Sequence, residues 1–211
     1  MTSQDSKPEA AHVPRSSAYP IEPLFLERWS PRAFDGSPVR REHLATMLEA
    51  ARWAPSAFNS QPWRFVYVLR EDSDWDRLLH LLIPFNVAWA RRAAALIFIC
   101  SDPLIRSSKP GQPDQHSHSH SFDTGAAWAM IALQAARLGY AAHGMTGINF
   151  ETAGRELNAP DRFRLEAAVA IGRPGAREQL PESLRAREAP SLRKPLDQIV
   201  SHIGFDRPAE L

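Results

Sequence analysis

The chain of 211 residues lacks most features that mark specialised classes of protein. Its single cysteine, Cys100, allows no internal disulfide and no Cys-x-x-Cys zinc spacing, so a reducing, cytoplasmic location is the simplest interpretation. The net charge is +1, from 25 basic and 24 acidic residues, and this gives no indication of a nucleic-acid or anionic-membrane partner.

Long hydrophobic runs are also missing. The longest strongly apolar stretch, residues 93–100, is far too short to span a bilayer, and the first 20 residues have no apolar segment of a signal peptide. We expect residues 1–20 to be a flexible tail or a partner-clasping arm, followed by a single domain over 21–211. Cys100 ends the apolar run, so we interpret it as a buried strand residue rather than a reactive thiol.

Apolar periodicity predicts a mixed α+β domain. Strands are predicted over 63–69, 140–145 and 166–171, and 93–100 reads as a central strand because it is apolar without alternation. Helices are predicted from Pro38 to before Pro55, and over 75–82, 125–138 and 152–157, with Asp123 or Thr124 capping the third. This third helix is apolar nearly all round, so we expect it in the core or at a subunit interface. Residues 105–122 are predicted to be a polar loop.

Four short segments carry polar groups in patterns that suit a ligand. Arg28, Ser30 and Arg32 could hold a phosphate, although a solvated basic turn explains the same pattern. The loop A-P-S-A-F-N-S-Q-P-W at 54–63 offers side chains for the edge of a heterocycle, or is simply a well-made turn. Residues 139–147 bring glycines close to a partner or merely turn the chain, and His143 alone favours a structural role. Arg193 and Lys194 offer a further anion site or a solvated tail.

In their order along the chain, these segments resemble the nitroreductase family. The resemblance rests on R-x-S-x-R-x-F at 28–34, P-S-x-x-N-S-Q-P-W at 55–63, Asn86, D-x-G-A-A at 123–127, L-G-Y-x-x-H-G-M-x-G at 138–147, G-x-P at 172–174 and R-K-P-L at 193–196. It covers roughly residues 23 to 205, and the 55–63 element is its most specific part. It implies an α+β nitroreductase-like fold, with a central, mostly antiparallel sheet flanked by helices in an intertwined homodimer.

The resemblance also implies roles for particular residues in binding FMN. Arg28, Ser30 and Arg32 would serve the phosphate and the pyrimidine edge, and Arg193 with Lys194 would form a C-terminal phosphate clamp. Asn86 would read the pyrimidine end of the ring, while Met145, Thr146 and Gly147 would lie against it, with a backbone N–H of Thr146 or Gly147 facing N5. The residues reaching the flavin from the other subunit would be Pro55, Ser56, Asn59 and Gln61. The apolar residues of the 190–211 extension would pack on the partner subunit.

The activity implied is hydride transfer from NADH or NADPH through flavin N5 to a nitroaromatic or quinone-type acceptor, in a ping-pong scheme. No side chain needs to act as a nucleophile, and the chain has no Gly-x-Ser-x-Gly motif. Two features depart from the family. Thr146 stands where many members have an acidic residue, and the segment between Asp102 and Asp123 is compact. The second departure leaves substrate choice open. The NADH or NADPH preference is also open, because no arginine can be assigned to a 2′-phosphate from the sequence.

The sequence also allows other interpretations of its function. His116, His118 and His120 alternate with serines and could face one metal ion, but a flexible lid over the flavin is favoured because no acidic or cysteine ligand completes the set. A non-catalytic flavin-binding module would bind FMN without turnover. A specialised relative would fragment flavin, remove halogen from a substrate or oxidise a ring.

Overall fold

A computed structural model describes residues 15–107 and 109–209, so the first fourteen residues of the predicted tail lie outside the described part. The helices, in chain order, are α1 (Pro23–Glu27), α2 (Arg41–Arg52), α3 (Trp75–Leu79), α4 (Pro84–Ala90), α5 (His120–Arg137), α6 (Phe150–Glu156) and α7 (Glu182–Arg185). The strands are β1 (Trp63–Leu69), β2 (Ala95–Ser101), β3 (Leu104–Ile105), β4 (Gln115–His116), β5 (Ala141–Met145) and β6 (Arg164–Gly172).

A four-stranded antiparallel sheet organises the fold, with strand order β1-β2-β6-β5. The predicted central strand is confirmed, because all seven residues of β2 are buried between β1 and β6. Successive side chains on a strand point to opposite faces, and β2 therefore supplies two separate cores. Leu96 and Phe98 belong to one, and Ile97 and Ile99 belong to the other. The predicted α+β class with an antiparallel sheet is thus confirmed.

Helices cover both faces of the sheet. Leu44 and Met47 of α2 pack with Ile131 of α5 on one face, where each buried aliphatic side chain contributes about 1.5–3 kcal/mol. Trp75 of α3 and Trp89 of α4 pack on the other face. Helix α2 begins at Arg41, so the prediction of a start at Pro38 was wrong. The apolar period begins only at Leu44, and a pattern without a capping side chain does not locate the first turn.

Helix α5 begins at His120, earlier than the predicted Gly125, and its N-cap is Ser119 rather than Asp123 or Thr124. The carboxylate of Asp123 instead accepts hydrogen bonds from the Ala57 N–H at 3.1 Å and the Ser119 hydroxyl at 3.0 Å. The predicted polar loop thus contains the β3–β4 hairpin and the first turn of α5. Histidines and serines hide that turn because they carry no apolar period.

Large apolar side chains remain exposed at several places on the described chain, including α5, the loop at Phe58 and the C-terminal segment. On α5, Phe122 is 81% exposed while Ile131 is fully buried, so only one side of this apolar helix enters the core. Phe58 is exposed as well, and so are residues along the C-terminal segment, at Leu192, Leu196, Ile199, Ile203 and Phe205. The predicted packing of this segment on a partner subunit stays a prediction. Within the described ranges, no helix combines the length and apolar character needed to cross a bilayer.

Candidate functional site

The segment 28–34 is fixed from two sides. Helix α1 ends at Glu27, and Arg28 is extended, so the chain runs on without helical bonds. Phe34 is fully buried, and it forms an isolated bridge with Pro174. The Glu188 carboxylate accepts hydrogen bonds from the N–H groups of Arg32 and Ala33, each at 2.8 Å. This anchoring of the backbone leaves the arginine side chains of the segment directed to one pocket.

That pocket, which we call the arginine pocket, has a volume of about 380 Å³. Its lining includes five arginines, namely Arg15, Arg28, Arg32, Arg187 and Arg193, together with Trp29, Ser30, His143, Ala189 and Ser191. Burial lowers the pKa of Arg15, Arg28 and Arg32, and neighbouring arginines lower it further. The Nε atoms of Arg15 and Arg32 are buried and have no hydrogen-bond acceptor among the described residues. Such a cluster of cationic donors is suited to an anion, especially a phosphate.

His143 closes one side of the arginine pocket. Its Nδ1 lies 2.9 Å from the Pro31 carbonyl oxygen, to which the Nδ1–H donates, and its ring packs on Trp89 with centroids 4.6 Å apart. Burial lowers the pKa of His143, and the nearby Arg32 adds to the effect against the backbone bond. The ring is therefore neutral at pH 7, in agreement with a structural role.

A larger cleft of about 810 Å³ joins the arginine pocket, because Arg28 and Ser30 line both cavities. One wall is the exposed side of α5, with Trp128 and Leu133, and the other includes Met145 and Thr146 at the end of β5. The joined cavities thus place a cationic end beside an apolar slot. A flat aromatic ligand with a phosphate tail has this same division of chemistry.

Gly147 follows Thr146 of the cleft wall but lines neither cavity itself, and it is held by two donors. Its carbonyl accepts from the Ile83 N–H at 3.0 Å and from Asn86 Nδ2 at 3.1 Å. A Cβ at position 147 would overlap with that same Nδ2 atom, so any larger residue would force Asn86 to shift. Asn86 is buried on α4, a helix that the sequence reasoning missed, and it contacts Gly147 rather than lining either cavity. The backbone N–H groups of Thr146 and Gly147 have no acceptor within 15–107 and 109–209.

The 55–61 loop lies elsewhere on this chain. Pro55, Ser56, Asn59 and Gln61 line neither the cleft nor the arginine pocket. Phe58, Asn59 and Gln61 have positive φ angles of 54°, 52° and 48°, an uncommon backbone state for residues other than glycine. The Gln61 N–H donates to Ser56 Oγ at 3.0 Å, which supports this conformation. Phe58 is 90% exposed at its tip.

The structure therefore brings together some of the predicted residues and separates others. Arg28, Ser30, Arg32 and Arg193 meet in the arginine pocket, and Met145 and Thr146 line the adjoining cleft. Lys194 is exposed and lines neither cavity. The sequence reasoning missed Arg15, Arg187 and Glu188. None of them belongs to a recognisable motif, and only the folded chain shows that Arg187 and Glu188 lie beside residues 28–33.

A second polar cluster lies at the other end of the cleft. Glu166 Oε1 accepts hydrogen bonds from the hydroxyls of Ser101 and Ser121, each at 2.6 Å, and Ser101 Oγ lies 2.8 Å from His120 Nδ1. Burial, with the Glu166 charge, raises the pKa of Cys100 to about 11, which agrees with an inert strand cysteine. Among residues 15–107 and 109–209, no three histidine, cysteine or acidic side chains form a group suited to a metal ion.

Comparisons with known proteins relate the chain to flavin oxidoreductases. The sequence model of the nitroreductase family matches residues 26–85. A solved structure of an oxidoreductase containing FMN is 48% identical, with a TM-score of 0.88, over 92% of this chain and 96% of the other. A nitroreductase-type protein from Desulfovibrio desulfuricans, solved in complex with FMN, is 26% identical with a TM-score of 0.68, over 88% of this chain and 99% of its own.

One curated relative is shorter. An uncharacterized 15.4 kDa protein of Mycolicibacterium smegmatis is 30% identical over 113 residues, which are 53% of this chain and 71% of that protein.

Proposed function

Because the chain belongs to the nitroreductase family, we propose that it is an FMN-dependent oxidoreductase that oxidises NAD(P)H and reduces nitroaromatic or quinone-type acceptors by a ping-pong scheme. When bound, FMN would supply the hydride chemistry at its N5 atom. The protein would bind the flavin, orient its ring and shield it from solvent. NAD(P)H is a cytoplasmic metabolite, and we propose that compartment for the enzyme.

The observation that carries the proposal is the arginine pocket joined to an apolar cleft. An FMN phosphate would accept from Arg28, Arg32 and Arg193, and it would give the buried Nε of Arg32 the acceptor that the described residues do not supply. Burial lowers the pKa of Arg28 and Arg32, and the neighbouring charges of Arg193 and Arg187 lower it further; a bound dianion would offset this repulsion. The residues present therefore fit the group.

The backbone just after β5 is suited to orienting the flavin ring. Asn86 and the Ile83 N–H hold the Gly147 carbonyl from behind. We propose that this fixes the backbone N–H groups of Thr146 and Gly147 toward the flavin, where they would donate to N5. Fixed donors of this kind require no reorganisation during the reaction. Because the contact would come from the backbone, the threonine at position 146 does not remove it.

We further propose that the chain works as a homodimer with FMN at the interface. The predicted second half of the site, Pro55, Ser56, Asn59 and Gln61, lies away from the arginine pocket on its own chain. A second copy would supply this loop, and the exposed Phe58 with the exposed apolar residues of α5 and the C-terminal segment supports burial against such a copy. Strained loops such as 58–61 are concentrated at binding sites.

The experiment that tests the activity is the visible absorption spectrum of the purified protein. We expect a flavin spectrum that NADPH or NADH bleaches anaerobically and that a quinone or nitroaromatic restores. A flavin spectrum that neither nucleotide bleaches would instead indicate a binding module or a specialised relative. A colourless protein that takes up no added FMN would overturn the proposal.

Sedimentation tests the dimer separately. We expect two chains per particle for the unaltered protein, and a shift toward the single chain for Phe58→Asp. Tyr67→Asp is the matched control, since Tyr67 is a partly exposed aromatic residue on β1 away from this loop. One chain per particle at micromolar concentration in the unaltered protein would contradict the shared site.

A further inference from the structure

We propose that Arg15, which precedes the first helix, is a further phosphate-binding residue of the arginine pocket. The inference rests on the proposed function, since FMN is the phosphate ligand that it invokes. It extends that function to a residue outside all the motifs that indicate the family.

The side chain of Arg15 extends from the segment before α1 to the arginine pocket. Its Nη1 donates to the Leu26 carbonyl at 3.1 Å and to the Arg28 carbonyl at 2.8 Å, and its side chain lines the pocket beside Arg193. These two bonds occupy one amino group of the guanidinium. The buried Nε has no acceptor among the described residues, so the side chain still has a donor to offer.

The surroundings of Arg15 favour an anion. Burial lowers its pKa, and the charges of Arg193 and Arg28 lower it further. Five arginines line the pocket, whereas Glu188 is the acidic side chain that contacts residues 32 and 33 beside it. The Glu188 oxygen Oε1 is already occupied by the N–H groups of Arg32 and Ala33. A phosphate monoester carries up to two negative charges, and it would balance part of the positive charge of the five arginines.

A structural role for Arg15 is the alternative. By holding the Arg28 carbonyl, Arg15 could merely position Arg28 for the phosphate without contacting the ligand. A double-mutant cycle of Arg15 and Arg28, measured on FMN affinity, distinguishes the two roles. If Arg15 acts only through Arg28, its replacement has no further effect once Arg28 is alanine. If Arg15 binds the phosphate itself, the effect persists in that background.

The experiment compares FMN with riboflavin, which lacks the phosphate, by fluorescence titration of the flavin-free protein. We expect Arg15→Ala to weaken FMN binding about tenfold and to leave riboflavin binding within twofold, in the native and in the Arg28→Ala background. Arg15→Lys should recover part of the loss because it restores the charge. The matched control is Arg177→Ala, an exposed arginine that lines neither cavity.

Two results would overturn the inference. One is equal weakening of FMN and riboflavin, and the other is no effect of Arg15→Ala once Arg28 is alanine. A second probe keeps the test independent of FMN. Inorganic phosphate should raise the melting temperature of the flavin-free protein, and Arg15→Ala should reduce this increase while Arg177→Ala preserves it. If FMN fails to bind but this pattern holds, the proposed function is wrong and Arg15 still binds phosphate; no difference between Arg15→Ala and Arg177→Ala would contradict the role of Arg15.

Discussion

The two polar clusters beside the cleft differ in how well they are satisfied. Around Glu166, the hydroxyls of Ser101 and Ser121 donate to the carboxylate, and His120 completes the chain of bonds. In the arginine pocket, positive charges face one another, and buried Nε atoms have no acceptor in the described chain. A satisfied buried network contributes to the fold, whereas an unsatisfied one is costly until a ligand arrives. Under the proposed function, this difference distinguishes the polar residues that stabilise the fold from those that would bind the phosphate.

The largest expected effect comes from the unsatisfied cluster. Replacing Arg28 and Arg193 together by alanine should raise the Kd of FMN about a thousandfold, because each charge-assisted hydrogen bond contributes about 1.5–3 kcal/mol. Denaturant unfolding of the flavin-free variant should give a free energy no lower than that of the unaltered protein, since mutual repulsion is relieved. A change in Kd below tenfold, or a clear loss of stability, would remove the contrast between the clusters.

In the cluster around Glu166, a substitution should lower the stability of the fold and leave FMN affinity unchanged. Ser101→Ala removes one of the two hydroxyl donors to Glu166 and the nearest partner of His120 Nδ1, so the free energy of unfolding should fall by about 1–3 kcal/mol. The Kd of FMN should stay within twofold. Ser73→Ala, at an exposed serine, serves as the control. Weaker FMN binding without a change in stability would show that this cluster also serves the ligand.

A smaller effect is expected from pH. The folded state lowers the pKa of His143, chiefly by burial, so the unfolded chain binds the extra proton first. The free energy of unfolding is therefore highest above the ordinary histidine pKa of about 6.5, and it declines as the pH falls below that value. Denaturant unfolding at pH 7.5 and 5.5 should show a smaller decline for His143→Gln than for the control His202→Gln, an exposed histidine. Equal declines in the two variants would contradict the direction of the shift.

The smallest effect concerns Cys100, beside the satisfied cluster. With its pKa raised to about 11, the thiol is almost entirely protonated at pH 8. A thiol reagent should therefore label the native protein far more slowly than the unfolded chain, and Cys100→Ala should leave FMN affinity unchanged. Rapid labelling of the native protein would contradict the raised pKa and the burial of Cys100.

The sheet was predictable from local patterns, whereas parts of the site were not. Residues 63–69 and 93–100 carry a strand composition that burial in the sheet then satisfies, so both strands appear where expected. Arg28 and Arg193 were predictable because motifs surround them. Arg15 and Glu188 were not, since their roles depend on chain segments that meet only in the folded molecule. The start of α5 was missed because tertiary packing, rather than an apolar period, holds its first turn.

The strand order has a consequence for how the chain is made. Strand β2 needs β6 as its second neighbour, but β6 emerges from the ribosome only after α5, β5 and α6. Until then, a fully apolar strand presents an open edge, which is the kind of surface that pairs with other chains. Nascent chains and fragments that end before Arg164 should therefore depend on chaperones and aggregate without them.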